Sequence, residues 1–245
     1  MLALLNVRNL EVYIGSLYIL QGISMDLYKG EKLFLIGRNG AGKTTLLKTI
    51  MGFVKPSSGV IMFDGIDVTR DPPYVRARLG IRYVPDNKRL FTSLTVEENL
   101  MASLLGSGVS REKAMDRIEY VYSLFPDLKR LRKLRASQLS GGQQQMLNLG
   151  RAIASPNVKI FLVDEPVEGL SPLYASKILE VLSKLSEEGI SMIIVETRPM
   201  LMKKMSGRYV IINGGRIVSE GFTEDLHRDQ TLVSTYLDIS TNPGV

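Results

Sequence analysis

Apolar residues fall into short runs separated by turns rich in glycine, a pattern that predicts β-strands. Residues 32–36 are almost continuously apolar and stop at Gly37, as expected of a strand buried on both faces. Similar runs predict strands at residues 4–10, 26–28, 60–63, 158–163, 192–195, 208–212 and 216–219, with Gly22 among the glycines that separate the first of them. Asn213-Gly214-Gly215 between the last two runs predicts a β-hairpin.

A helical period follows the Gly37 loop and returns in the middle of the chain. Residues 43–51 carry apolar side chains at helical spacing, so a strand, a glycine loop and a helix follow one another directly. Residues 92–135 are mostly helical by the same criterion, with a break at Pro126-Asp127, and another helix is predicted for residues 144–154. Since residues 92–135 separate two halves of an α/β pattern, they predict a helical insertion in an α/β fold.

The composition limits the chemistry. A chain of 245 residues with 44% hydrophobic residues fits one sizeable domain with a buried core. There is no cysteine, and the one histidine, His227, lies in a polar stretch, so a bound metal would have oxygen ligands, which favours Mg²⁺ over zinc. The formal charge of +6 fits two interpretations: an anionic partner such as nucleic acid, a phosphate ligand or a membrane face, or a basic solvated surface.

The hydropathy pattern predicts a cytoplasmic protein. No stretch approaches the roughly 18 to 20 apolar residues that cross a bilayer. The apolar start at residues 1–5 is cut short by Asn6 and Arg8 and lacks a cleavage site, so it does not resemble a signal peptide. If the protein serves a membrane, we expect it to do so from the surface.

The clearest chemical motif is a phosphate-binding loop. It reads Gly37-Arg38-Asn39-Gly40-Ala41-Gly42-Lys43-Thr44 and matches G-x-x-x-x-G-K-[ST] in full. Its glycines let backbone N–H groups surround phosphate oxygens at the positive end of the following helix. Lys43 is expected to reach the β- and γ-phosphates and Thr44 to place its hydroxyl on Mg²⁺. The predicted nucleotide site comprises this motif and Thr45, because the flanking strand and helix argue against a chance glycine loop.

An acidic pair supplies the carboxylate that a phosphate-binding loop needs to complete the coordination shell of its metal. The apolar strand that ends at Val163 is followed by Asp164 and Glu165, at the strand end where α/β proteins bind ligands. Asp164 suits the coordination shell of Mg²⁺, and Glu165 is placed to polarise an attacking water as a general base. The alternative is an acidic strand end without a task.

A second anion site is predicted at Leu139-Ser140-Gly141-Gly142-Gln143, just before a helix. Ser140 and the two glycines offer hydroxyl and backbone donors at a helix N-terminus, which is a common anion site. Because the nucleotide already has a phosphate-binding loop, a second phosphate contact favours action in trans across a dimer. An ordinary helix cap with a glycine turn is the alternative.

These motifs, in this order and spacing, resemble those of the ATP-binding-cassette (ABC) ATPases, and the resemblance covers essentially the whole chain. In that family two cassettes enclose two ATP molecules, each between one P-loop and the other subunit's Leu-Ser-Gly-Gly-Gln signature. The resemblance therefore implies ATP and Mg²⁺ as cofactors, with Lys43 and Glu165 in catalysis. Tyr13 matches the aromatic that stacks on adenine, although a strand aromatic in a hydrophobic patch has the same appearance.

The resemblance also implies an architecture: an α/β P-loop NTPase (RecA-like) core with an N-terminal antiparallel β-subdomain and a helical insertion subdomain. We expect a single ABC ATPase domain over residues 1–245. Its parts are 1–91 and 151–237 as the nucleotide-binding core, 92–150 as the helical subdomain with the signature motif, and 238–245 as a loose tail.

Three further stretches resemble the ATPases of branched-chain amino acid importers, and closely related urea/amide importer ATPases share nearly all of them. The stretches are residues 80–91 with 94–100, residues 140–147, and residues 168–172. The likeness implies a polytopic membrane permease and a second ABC ATPase subunit as partners, in a homodimer or a heterodimer. It also implies peripheral contact with the inner face of the cell membrane and no nucleic acid.

Three positions depart from the general pattern of the family. Asp86 replaces the loop glutamine that senses Mg²⁺, and its carboxylate can still order metal-bound water. Ser171 stands where many cassettes have aspartate; both changes resemble the branched-chain group. Thr197 occupies the catalytic position of the switch histidine, but it is shorter and cannot carry positive charge. We hypothesise that this subunit's own site turns over slowly and that transport depends on a paired, non-identical cassette.

Two other functions remain open at this stage. One is a soluble ABC ATPase in assembly or repair, although 245 residues leave no room for the very long coiled coil of DNA-linked members. The other is a nucleotide-gated module with weak hydrolysis, which Thr197 would favour. The transported substrate rests on resemblance alone, because an ATPase subunit does not contact the cargo.

Overall fold

The computed structural model describes residues 3–105, 108–196 and 205–226. The strands are β1 (Leu5–Ile14), β2 (Leu17–Leu27), β3 (Lys32–Ile36), β4 (Ser58–Phe63), β5 (Ile66–Asp67), β6 (Ile81–Val84), β7 (Ile160–Asp164), β8 (Ser191–Val195), β9 (Arg208–Asn213) and β10 (Arg216–Phe222). The helices are α1 (Lys43–Met51), α2 (Pro73–Leu79), α3 (Val96–Leu105), α4 (Arg111–Leu124), α5 (Pro126–Arg130), α6 (Gly141–Ala154), α7 (Pro172–Glu187) and α8 (Thr223–Leu226).

A six-stranded sheet with the order β10-β9-β3-β8-β7-β6 forms the centre of the molecule. The five strands from β9 to β6 pair in parallel, and β10 adds an antiparallel edge through the predicted hairpin. Strands β7 and β8 are buried along their whole length, which explains their continuous apolar runs. Because the carboxyl ends of parallel strands meet at one edge, the loops after β3, β6, β7 and β8 converge there.

The central sheet divides the core into two parts. Leu33 and Leu35 on β3 pack on one face with the apolar residues of α1 and of strands β1, β2 and β4. Phe34 and Ile36 pack on the other face with the apolar residues of α3, α4, α6 and α7. This period-2 alternation makes a three-layer molecule. The predicted α/β fold class is confirmed.

The predicted N-terminal antiparallel β-subdomain is a four-stranded sheet with the order β2-β1-β4-β5. The prediction that Gly22 separates short strands was wrong, because β2 continues through it. The pairing of Leu10 with Ile23 and of Glu11 with Gln21 skips Gly22, which has a φ of 76°. A bulge, which glycine accommodates without steric cost, therefore replaces the expected turn.

Helices α3, α4 and α5 confirm the predicted helical stretch. The helical run is interrupted at Phe125, just before Pro126 begins α5. Helix α6 packs on β6 of the central sheet as well as on α3 and α4. The predicted boundary between residues 150 and 151 therefore falls inside a continuous helix that ends at Ala154. No helix within the described ranges has the length and hydrophobicity needed to span a bilayer.

Candidate functional site

The phosphate-binding loop connects the end of β3 to the start of α1, as predicted. A Cβ atom on Gly37 would overlap the carbonyl oxygen of Ile212, and one on Gly42 would lie 2.9 Å from Leu20 Cδ2. Gly42 also caps α1 in the left-handed conformation, with a φ of 109°. Only glycine fits these two positions, so packing as well as phosphate binding requires them.

Lys43 curls back over this loop. Its side chain is 5% exposed, and Nζ donates hydrogen bonds to the carbonyl oxygens of Gly37 at 2.6 Å and Arg38 at 3.0 Å. The ammonium group is thus held against the loop, close to the positive end of α1. This concentration of positive charge suits phosphate oxygens.

Asp164 joins the loop to the end of β7. Thr44 Oγ1 donates to Asp164 Oδ1 at 3.1 Å, and Tyr83 Oη donates to Asp164 Oδ2 at 2.9 Å. Burial raises the pKa of Asp164, the hydrogen bonds from Tyr83 and Thr44 oppose that shift, and the charge of Asp86 adds to it. Sequence reasoning missed Tyr83, whose position depends on the parallel pairing of β6 with β7.

Glu165 follows Asp164 with a φ of 45°, a left-handed conformation that is uncommon outside glycine. Its N–H donates to the carbonyl oxygen of Val195 at 3.2 Å, which fixes the turn at the sheet edge. The neighbouring carboxyl group of Glu168, together with burial, raises the pKa of Glu165 to about 7, while Lys43 lowers it. Glu165 thus lies within electrostatic range of Lys43 in the phosphate-binding loop.

Asp86 lies in the exposed loop after β6. Val84, at the end of β6, is paired with Val163 on β7. Asp86 follows two residues later, so it lies beside the acidic end of β7. Its charge raises the pKa of both Asp164 and Tyr83, in keeping with a place at the edge of the same site.

The Leu139–Gln143 turn has the geometry of a capping box at the start of α6. Gln143 N–H donates to Ser140 Oγ at 3.4 Å, and Ser140 N–H donates to Gln143 Oε1 at 2.9 Å. Gly142 is buried beneath the ring of Tyr174 on α7, whereas Gly141 is exposed. The turn is thus a well-formed helix N-terminus, and its predicted contact with phosphate stays a prediction.

The two anion-binding turns belong to different layers. Helix α1 packs on one face of the central sheet and α6 on the other. Lys43, Thr44, Asp86, Asp164 and Glu165 are brought together at the sheet edge, whereas the Ser140–Gln143 turn begins the helix that packs on the face opposite α1.

Tyr13 lies near the turn between β1 and β2, 47% exposed, and its ring stacks on that of Tyr18. The predicted catalytic residue Thr197 lies outside the described residues, as does His227. The hypothesis of slow turnover therefore stays a prediction, which single-turnover hydrolysis by a Thr197→His variant would test.

The oxygen groups at the sheet edge fit Mg²⁺. The hydroxyl of Thr44 and the buried carboxylate of Asp164 are hard donors of the kind that Mg²⁺ prefers. Among the described residues there is no cluster of three His, Cys, Asp or Glu side chains that could hold a metal by itself. A Mg²⁺ ion at this edge would therefore draw its other ligands from phosphate oxygens and water.

Fold and site together define a P-loop ATPase with an acidic pair beside the phosphate-binding loop. The model of the ABC transporter family matches residues 20–168. Over 215 residues the chain is 37% identical to the high-affinity branched-chain amino acid transport ATP-binding protein BraG of Pseudomonas aeruginosa, covering 88% of this chain and 91% of that protein. It is 32% identical to the lipopolysaccharide export system ATP-binding protein LptB of Haemophilus influenzae, covering 96% of this chain and 98% of that protein.

Among solved structures, the chain is similar to the dimeric post-hydrolysis state of an ATP-binding cassette bound to ADP and Pi. The TM-score is 0.79 at 27% identity, covering 89% of this chain and 97% of that chain. The chain belongs to the ABC transporter family, whose ATP-binding members hydrolyse ATP.

Proposed function

We propose that this chain is the ATP-hydrolysing subunit of an importer for branched-chain amino acids, acting as one of two paired cassettes. The observation that carries the proposal is the 3.1 Å hydrogen bond from Thr44 Oγ1 to Asp164 Oδ1. It joins the phosphate-binding loop to the acidic end of β7, where Glu165 stands next in sequence. Phosphate binding, metal binding and water activation can therefore act on one nucleotide.

Each residue has a distinct part in the proposed hydrolysis. The Gly37–Gly42 backbone and Lys43 would bind and orient the phosphates, Tyr13 would stack on adenine, and Thr44, Asp164 and Asp86 would hold Mg²⁺ directly or through water. When bound, Mg²⁺ supplies positive charge to the phosphate oxygens. Above a pH of about 7 the Glu165 carboxylate accepts a proton from the water that attacks the γ-phosphorus, as the bond to the bridging oxygen of ADP breaks.

A second cassette is proposed to complete each site. The turn of Ser140, Gly141, Gly142 and Gln143 starts helix α6, which packs on the face of the sheet opposite α1, and in our proposal this turn meets the nucleotide of a partner chain. The dimeric form of a similar cassette, with ADP and Pi bound, supports pairing. The partner is a second copy of this chain or a related, non-identical cassette.

The permease is proposed to dock at a groove of about 270 Å³ between the core and the helices. The groove is lined in part by Phe53, Arg82, Lys88, Arg89 and Arg151. Its mixture of aromatic and basic side chains suits a short amphipathic segment of a membrane subunit. This arrangement would place the chain in the cytoplasm, peripheral to the inner face of the membrane and without nucleic acid.

The proposed cargo rests on the likeness to BraG, which is stronger than the likeness to the lipopolysaccharide exporter LptB. The test is uptake of radiolabelled leucine by cells that encode this chain, comparing the natural allele with Glu165→Gln. We expect leucine uptake to fall to background in the variant while urea uptake is unchanged. Loss of urea uptake instead would favour the urea/amide alternative, and unchanged uptake of both would contradict the importer assignment.

A further inference from the structure

Two tyrosines form a stacked pair beside the β1–β2 turn. Tyr13 and Tyr18 lie directly opposite each other in the strand register. Their ring centroids are 4.4 Å apart and their planes differ by 2°. Because Tyr18 covers one face of the Tyr13 ring, the pair forms a platform two rings thick.

Strand β2 ties this platform to the phosphate-binding loop. A Cβ on Gly42 would lie 2.9 Å from Leu20 Cδ2 and 3.3 Å from the carbonyl oxygen of Ile19. Leu20 is two residues after Tyr18, on the other side of a bulge at Ile19, because Val12 pairs with Leu20 and Tyr13 with Tyr18. The platform therefore stands on the strand that packs against the loop.

The β9–β10 turn holds the same strand from the other side. Gln21 N–H donates to the carbonyl oxygen of Gly215 at 2.8 Å, and Gly215 N–H donates to that of Ala41 at 3.1 Å. These two bonds connect β2 to the phosphate-binding loop through one glycine. Strand β2, which carries Tyr18, is thus held to the phosphate-binding loop both by packing and by hydrogen bonds.

The ring of Tyr18 is itself held in place. It is half-buried, whereas Tyr13 is exposed. The Tyr18 phenol is neutral near pH 7, as tyrosines ordinarily are, and burial and the neighbouring carboxylate of Glu11 raise its pKa further. A neutral, half-buried ring is a suitable support for a more exposed one.

We propose that Tyr18 is a positioning residue of the nucleotide-base subsite, which holds the Tyr13 ring flat so that a purine stacks on it as a third layer. The inference rests on the proposed function, in which Tyr13 contacts adenine. Tyr18 does not touch the base; it restricts the orientations of Tyr13 before the nucleotide arrives, which lowers the entropy lost on binding.

The test compares ATP with tripolyphosphate, which has the phosphates but no base. Dissociation constants of both, with Mg²⁺, are measured by calorimetry on the full chain for wild type, Tyr18→Leu, Tyr18→Phe and Tyr13→Leu. We expect Tyr18→Leu to weaken ATP binding about 2- to 10-fold and to leave tripolyphosphate binding unchanged. Tyr18→Phe keeps the ring and should bind ATP as wild type does.

The outcomes distinguish the positioning role of Tyr18 from the contact of Tyr13 with the base. Normal ATP binding by Tyr18→Leu together with weakened binding by Tyr13→Leu would overturn the role of Tyr18 and leave the base contact of Tyr13 intact. Normal binding by both variants would overturn the base contact itself. An equal loss for ATP and tripolyphosphate would show that Tyr18 acts through the phosphate-binding loop, which also overturns the inference. If Tyr18→Leu does not fold, Tyr18→Thr, a good strand former, takes its place with the same expected result.

Discussion

At the scale of single residues, the carboxyl pair of Glu165 and Glu168 has the clearest chemical consequence. The two are three residues apart on one turn, and Glu168 N–H donates to the carbonyl oxygen of Glu165 at 3.3 Å. Glu168 is exposed, yet its side chain is the largest cause of the raised pKa of Glu165. A general base with a pKa of about 7 is matched to work near neutral pH.

Removal of this partner should move the pH profile of hydrolysis. A general base must be deprotonated, so kcat/KM should fall below a pH of about 7 in the natural protein. Glu168→Ala removes the neighbouring carboxyl group that raises the pKa of Glu165. The acidic limb of the pH profile should therefore shift to lower pH. At a pH below the midpoint of the natural protein, the variant should keep a larger fraction of its plateau activity than the natural protein keeps of its own.

The measurement is kcat/KM for ATP across the acidic limb. Glu187→Ala, which removes an exposed glutamate at the end of α7, is the control and should leave the limb in place. An acidic limb that stays fixed in Glu168→Ala would mean that another group titrates there.

At the scale of elements, the contact between α6 and α7 is unusually close. The ring of Tyr174 lies on Gly142, so Gly142→Ala must push the two helices apart or move the ring. We expect a loss of about 1–3 kcal/mol in the free energy of unfolding. Gly141→Ala is a matched control, since its Cβ would meet only Lys88 Nζ at 3.8 Å, and it should be neutral or slightly stabilising.

A second substitution makes this prediction specific. Tyr174→Ala removes the ring atoms that overlap the new methyl group, although Tyr174 Cβ remains 2.9 Å away. The Gly142→Ala, Tyr174→Ala double variant should therefore lose less than the sum of the two single losses in denaturant unfolding. Strict additivity would show that the ring is not what excludes a side chain from position 142.

Arg76 stabilises the end of the phosphate-binding helix. It is 1% exposed, and its guanidinium donates to the carbonyl oxygens of Thr49, Ile50, Thr69 and Asp71 at 2.8 to 3.0 Å. Arg76→Met would remove these four hydrogen bonds around α1 and α2, and we expect a loss of about 2–4 kcal/mol in the free energy of unfolding. Arg78→Met, an exposed position on the same helix, should change it by less than about 0.5 kcal/mol.

At the scale of the whole molecule, the helices that follow the two predicted anion-binding turns pack on opposite faces of the central sheet, which is the basis for the proposed pairing. Lys43→Ala removes the phosphate contact of one turn. Gly141→Glu places a negative charge at the other, at an exposed site that tolerates a side chain and at a helix end that favours an acid. Each variant alone should be inactive.

Mixing the two variants tests whether sites are completed in trans. A mixed dimer has one site with both turns intact, so an equal mixture should recover up to about a quarter of wild-type activity. Dimer formation is followed by light scattering. If the two variants form dimers with ATP but their mixture recovers no ATPase activity, the trans arrangement is contradicted. If this chain forms no dimers with ATP, the partner is a different cassette, in agreement with the hypothesis drawn from Thr197.

Much of the fold and site could be predicted because their signals are local. The Gly37–Thr44 motif, the acidic end of β7 and the Asn213–Gly215 hairpin each lie within a few consecutive residues. Other features depend on partners far along the chain and left no local signal. The contact of Tyr83 with Asp164 arises from strand pairing.

The remaining differences arise from signals that have two structural meanings. Gly22 reads as a turn and proves to be a bulge, because both need a positive φ. Helix α7, which begins at Pro172 and buries one apolar face, is absent from the sequence prediction although its apolar residues have helical spacing. The covering of Gly142 by Tyr174 could not be predicted from either residue alone.

The most direct test of the account is single-turnover hydrolysis of ATP with Mg²⁺, comparing the wild type with Glu165→Gln and measuring ATP binding in parallel. If Glu165 is the general base in a site built by Lys43, Thr44 and Asp164, the variant should bind ATP as tightly as wild type. It should release phosphate at least about 100-fold more slowly. Equal rates of phosphate release from the two proteins would contradict the assignment of Glu165, and with it the mechanism proposed for this site.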